Sequence, residues 1–383
     1  MKKLFFFIVI ILGFFGATKA QTQDSTKNTD LRFSLLTCDA GDDLYTIWGH
    51  TAIRVIDSAH HTDIVYNYGS FDFNEPNFIA KFLKGDLLYF ISADTYQNFL
   101  YEYQYYGRDV HEQVLNLSTI EKQKWQEALL VNMMGANRFY LYNFITDNCT
   151  TRIKDGLWQH TPVNNTSIGV ASFRSEVVSA PYQGGLPWIG LGIDLLLGAV
   201  ADKKPSLFQE AFLPNLLYKK LVANPSLVLS TQHLSFHRST ATPNNTPFYV
   251  LVSLLLVYVF ASKWNTLVTQ KLATLLDLSI AFILGIGGCI VWYMSQISLH
   301  TACHENYNLI WLHPLYLLAI PMYFISNKWT GYLGWAFFIA IVLLMLTSYW
   351  IPQYFSGSVI VLMTIALFLS IRFIKKSRNA RFQ

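Results

Sequence analysis

The sequence predicts an α+β exported domain followed by an all-α membrane domain of five helices. Three observations carry this. From Leu31 to about residue 240, short β-patterned runs alternate with a few helical ones. Beyond Pro247, five apolar segments follow one another at about 247–262, 272–296, 309–325, 330–349 and 356–374. The first twenty residues read as an export signal: Lys2 and Lys3, an apolar core from Leu4 to Phe15, and a Thr18-Lys19-Ala20 cleavage site. Cleavage there would leave Gln21 first rather than a cysteine, so the chain itself does not read as a lipoprotein. The alternative is an uncleaved anchor, for which the apolar core is short.

Composition narrows the function classes. Hydrophobic residues make up 52% of the 383 and charged ones 14%, with a net charge of +4. No basic run is interleaved with aromatics in the polar half, which argues against a nucleic-acid partner. Four cysteines are too few for a disulfide scaffold. No internal repeat is visible.

In order, residues 21–30 are polar and read as disordered. Phe33 to Thr37 predicts a strand. Gly49-His50-Thr51-Ala52-Ile53-Arg54-Val55 alternates as a second strand, with His50 and Ala52 on one face. The polar turn Asp57 to Asp63 leads into a third, Ile64 to Gly69, antiparallel by hairpin logic. That pairing brings Asn67 near Ala52 or Ile53 and Ser70 near His50. Residues 87–92 and 110–117 suggest further strands. Ser118-Thr119-Ile120-Glu121 is a capping-box pattern opening a helix through about Met134. The aromatic run Phe139 to Ile145 is strand-like and precedes a helix from Arg152 to Trp158. Pro187 to Val200, apolar with the single acid Asp194, is too short to span a bilayer. It reads as a buried or an interfacial helix, tilted to interfacial.

Loop charges orient the membrane segments. Lys263, Lys271, Lys328, Lys375, Lys376, Arg378 and Arg381 mark one side, while loops 297–308 and 350–355 carry no Lys or Arg. The positive-inside rule puts the polar domain outside the cytoplasm, in agreement with the export signal.

The chemistry centres on Asp147-Asn148-Cys149-Thr150-Thr151-Arg152. Asp147 or Asn148 would cap a helix whose first turn holds Cys149, where unpaired N–H groups favour a thiolate. His50 would take the thiol proton, and Asn67 or Ser70 would orient its ring. The backbone N–H of Cys149, with the Asp147/Asn148 cap, would contribute to an oxyanion hole. A competing reading makes Cys149 a small buried residue, and another pairs it with Cys38 in a disulfide. Candidate substrate-binding residues are Arg152 and Tyr68 beside the pair, and His304, Asn306 and Asn308 in the external loop. A wet loop is the plain alternative for the latter. His300-Thr301-Ala302-Cys303-His304 has no strong zinc spacing, so neither metal nor cofactor is expected. Asp277 and His313 are polar residues within apolar segments, a position that often marks function.

GHTAIRV, VYNYGSFDF and YNFITDNCTTR, with LLTCDAGDDLY before them and WIGLGIDLLLGAVAD after, resemble the Lnb-type lipoprotein N-acyltransferases over the whole chain. More distantly, a strand histidine ahead of an Asn-Cys helix start is similar to permuted papain-like folds such as NlpC peptidases and lecithin:retinol acyltransferase. The resemblance implies residues 1–20 as signal peptide, 31–240 as a permuted papain-like domain and 247–374 as five spans. It also implies Cys149 as acylated nucleophile, His50 as base, a membrane phospholipid as donor and the amine of a diacylglyceryl-cysteine lipoprotein as acceptor. The protein would then sit in a bacterial inner membrane with its catalytic domain on the periplasmic side. The rival classes are an envelope cysteine peptidase or amidase and a non-catalytic assembly protein.

Overall fold

A computed structural model describes residues 31–161, 166–236, 242–264 and 266–379. The expected export signal and the polar segment behind it lie outside the described residues.

Among the described residues, seven strands form one antiparallel sheet: β1 (Leu31–Cys38), β2 (His50–Asp57), β3 (Thr62–Ser70), β4 (Leu88–Thr95), β5 (Val110–Leu115), β6 (Phe139–Leu141) and β7 (Val228–Leu234). Their spatial order is β6-β4-β3-β2-β1-β5-β7. Alternation decides which residues reach each face. Phe33, Leu35, Ile53 and Val55 point into the main core, where α3 (Thr119–Asn132), α4 (Cys149–His160) and α7 (Pro214–Val222) pack. Leu36, Ala52 and Val65 point the other way, beneath α2 (Tyr96–Tyr105). The short helix α1 (Phe78–Lys84) lies between β3 and β4. The Ser118–Glu121 capping box opens α3 as expected.

The predicted strand from Phe139 to Ile145 stops at Leu141. The Asn143 side chain accepts hydrogen bonds from the N–H groups of Ile145 and Thr146, both at 3.1 Å, and turns the chain toward α4.

The helical half contains α8 (Thr246–Lys263), α9 (Leu267–Gln296), α10 (Tyr316–Ile325), α11 (Asn327–Thr347) and α12 (Gly357–Asn379). Among the described residues, α8, α9, α11 and α12 are long and apolar enough to cross a membrane. The third predicted span differs. Its ten-residue helix α10 reaches only about 15 Å at 1.5 Å per residue. Residues 307–315 supply the rest as a 3₁₀ turn (Tyr307–Ile310) followed by non-helical chain, which at membrane depth must be buried in protein. Gly288 of α9 allows this: a Cβ there would lie 2.5 Å from the His313 carbonyl carbon.

Between the halves, α5 (Phe173–Gln183) packs on α6 (Pro187–Leu196). The lone acid Asp194 is buried and paired with Arg174 at 2.7 Å, and Arg174 also holds Asp202 at 2.8 Å. Helix α6 touches α8, α9 and α12, so it is packed on the bundle, while Trp188 is 49% exposed.

Candidate active site

Two short-range devices set the geometry. Gly49 starts β2 at φ 80°, with its α-carbon so near the Cys38 carbonyl that a Cβ would stand 2.4 Å from the oxygen. Only glycine fits there, and His50 enters the sheet directly after it, opposite Cys38. Asn148 starts α4: its Oδ1 accepts from the N–H groups of Thr150 at 2.8 Å and Thr151 at 2.9 Å. Its amide donates to the carbonyls of Phe144 and Phe212. The cap is therefore Asn148 alone, fully engaged inside the fold. Asp147, the other expected cap, instead pairs with Arg152 at 2.5 and 2.7 Å, because its carboxylate faces the guanidinium rather than the helix end.

Strand and helix are then tied together beside the reacting groups. Thr51 and Thr150 share a 2.9 Å hydroxyl hydrogen bond, and each adjoins one of the pair, His50 or Cys149. The His50 imidazole lies close enough to the partly buried Cys149 thiol for each to act on the other by charge and hydrogen bonding. Nε2 of His50 meets Oδ1 of Asn67 at 3.2 Å, so Nε2 carries the proton and Nδ1 is left for the sulfur. Ser70 does not orient the ring. A bulge between Asn67 and Ser70, with Gly69 at φ 96°, swings Ser70 toward Ser92, 2.7 Å away.

The electrostatics draw the two groups toward each other's charged form. Burial pushes the Cys149 thiol up, but the charge and hydrogen bond of His50, the Thr51 N–H and the Thr150 hydroxyl outweigh it and hold the thiol below its usual value. Burial pulls His50 down, and the Cys149 charge with the Cys149 and Asn67 hydrogen bonds raises it above the ordinary imidazole value. Cys38 and Cys149 are both free, which removes the disulfide reading. Cys38 is buried, with its thiol pushed up to about 12 by desolvation.

The other candidates have protein partners. Tyr68 accepts from Asn132 at 2.8 Å, and Arg152 lies 4.1 Å over the Tyr140 ring. Both line a polar cavity of about 400 Å³ with Asn132, Asp147, Asp155 and His160. His304 donates to the Ser298 carbonyl, while the buried Asn306 and Asn308 amides donate to the Leu195 carbonyl at 2.9 and 3.0 Å. In place of the open loop expected for ligand contact, these three shape and anchor a dock for the end of α6. The same loop bonds α1: Ser298 Oγ to the Leu83 carbonyl at 2.7 Å and the Leu299 N–H to the Lys84 carbonyl at 2.8 Å. Sequence reasoning missed Thr51 and Thr150 as site residues, although each stands next to a residue it had singled out.

A half-buried thiol–imidazole–amide arrangement on an antiparallel sheet, docked on the loops of an apolar helical bundle, defines a membrane-anchored protein with a cysteine–histidine site. The chain belongs to the Lnb family. Residues 17–179 match the Lnb N-terminal periplasmic domain and residues 238–379 the Lnb transmembrane domain. It is thus a membrane protein with a periplasmic domain, in a family of lipoprotein maturation. No curated protein and no solved structure matches the chain.

Proposed function

We propose that the protein is an N-acyltransferase of the bacterial inner membrane that moves a fatty acyl chain from a phospholipid, through a thioester on Cys149, to the α-amine of a diacylglyceryl-cysteine lipoprotein. The observation that carries this is the Cys149–His50–Asn67 arrangement in a domain joined to the loops of the membrane bundle. The charge pattern of Lys263, Lys271, Lys328, Lys375 and Lys376 supports an outward-facing domain.

In the first step the Cys149 thiolate attacks the ester carbonyl carbon and a C–S bond forms. The glycerol C–O bond then breaks, and His50 gives its proton to the departing alkoxide, leaving a lysophospholipid. In the second step the neutral amine of the acceptor attacks the thioester. The C–N bond forms, the C–S bond breaks, and His50 takes the amine proton. Asn67 keeps the ring aligned throughout.

Cys149→Ser tests the reading. With the variant present at wild-type level, lipoproteins should remain diacylated by mass spectrometry of their N-terminal peptides. Full N-acylation in that strain would sink it. A cysteine peptidase built on the same pair would instead leave lipoprotein N-termini unchanged by the substitution.

A further inference from the structure

Tyr140 carries a hydroxyl that the fold does not use. The residue pairs with Tyr89 across β4 and β6. Its ring is flanked by Tyr68 and Tyr89 at 6.4 Å and covered by the Arg152 guanidinium, which Asp147 holds in turn. The side chain is 6% exposed, and among the described residues its hydroxyl has no hydrogen-bond partner. A buried polar atom left unpaired lowers stability and asks for a reason.

Its surroundings supply one. A Cβ built on Gly69 would lie 3.5 Å from Cβ of Cys149 and 3.9 Å from the Tyr140 hydroxyl oxygen. Apart from Gly69 and its chain neighbours, no other heavy atom comes within 4 Å of that point. Glycine at φ 96° therefore leaves an atom-sized space, with the cysteine on one side and the free hydroxyl on the other.

We propose that Tyr140 is a catalytic residue whose hydroxyl donates a hydrogen bond to the oxyanion formed when Cys149 attacks an acyl carbonyl. This rests on Cys149 being the nucleophile. As the C–S bond forms, the carbonyl π pair moves onto oxygen, and that oxyanion accepts from Tyr140 and from the Cys149 N–H at the start of α4, since Asn148 already holds the Thr150 and Thr151 N–H groups. The phenol remains the donor and keeps its proton, because burial, with the Cys149 charge adding to it, holds it far above its ordinary value. When the intermediate collapses, the pair returns, the ester C–O bond breaks, and His50 protonates the alkoxide. The same donors serve the second step, in which attack by the amine ends with cleavage of the C–S bond.

The test compares two reactions of one sulfur in the detergent-solubilised full-length protein. Acylation of Cys149 by p-nitrophenyl octanoate passes through a tetrahedral oxyanion; alkylation by iodoacetamide is a direct displacement and does not. Tyr140→Phe should slow acylation by about 10²–10³-fold while changing alkylation less than about twofold. Thermal unfolding of the variant should match wild type. Acylation at the wild-type rate, or an equal fall in both rates, overturns the role of the hydroxyl. If the wild-type protein carries no acyl adduct on the Cys149 peptide, the nucleophile assignment fails and takes this one with it.

Discussion

Two buried polar clusters in this protein are built on opposite rules. In the membrane bundle, Asp277 of α9 is 1% exposed, and its carboxylate is surrounded by donors. Arg372 of α12 reaches it at 2.6 and 2.8 Å, Tyr258 of α8 donates to it, and Tyr323 of α10 stands at 3.5 Å. Four helices thus converge on one saturated carboxylate. Around Cys149 the sulfur shares one imidazole with Asn67, and the neighbouring Tyr140 hydroxyl has no partner among the described residues. A saturated cluster resists change and fixes helix packing. An unsaturated one keeps hydrogen-bonding capacity for a species that exists only during reaction. Burial of polar groups alone therefore does not set the two clusters apart; incomplete satisfaction beside the Cys149 thiol does.

The contrast can be broken or sharpened by substitution. The largest effect is expected at His50. His50→Gln should cut acyl transfer by about 10²–10⁴-fold, the usual contribution of a positioned acid–base group. It should also move the pH profile of Cys149 alkylation. In the wild type the thiol is held low, so reactivity persists as pH falls below the ordinary thiol value and is lost only when the sulfur protonates. Without the imidazole, His50 no longer opposes the effect of burial and the inflection should move up. An unmoved inflection would show that His50 does not set the sulfur's charge.

Asp277→Ala comes next and should act on stability. It leaves the partly buried Arg372 without its carboxylate, a loss of about 3–5 kcal/mol. Unfolding in detergent should show this, and adding Arg372→Met should restore much of it. Full stability in the single variant would mean that the cluster does not bind the helices together. The smallest effect is expected at Asn67. Asn67→Ala removes one hydrogen bond that orients the ring, worth about 1.4 kcal/mol or about tenfold in acyl transfer. A loss as large as that of His50→Gln would make Asn67 more than an aligning group.

Much of this arrangement was legible beforehand where the cause is local. Asn148 ahead of Cys149 reads as a cap because the side chain needs only the next few N–H groups. His50 on a strand and Asn67 on its hairpin partner follow from period-two alternation and a short turn. Ser70 was a rival for Asn67 because a bulge is hard to see in a sequence; Gly69 was its sole trace. The third apolar segment read as a helix of full length, since hydropathy counts residues and does not see that the α-helix begins only at Tyr316, after a 3₁₀ turn. Asn306 and Asn308 read as ligand-facing because polar residues in an outer loop usually meet water; here they meet the end of α6.

By itself the sequence determined the division into a polar α+β part and an apolar helical part, the sign of each loop, and the cysteine poised at a helix start. All of these depend on neighbours within a turn or two of chain. The tertiary structure alone decided that Asp147 serves Arg152, that Cys38 stays apart from Cys149, and that the Tyr140 hydroxyl faces the space left by Gly69. Such pairings join residues far apart along the chain, and the energy of a contact between distant segments is written only in how the segments pack.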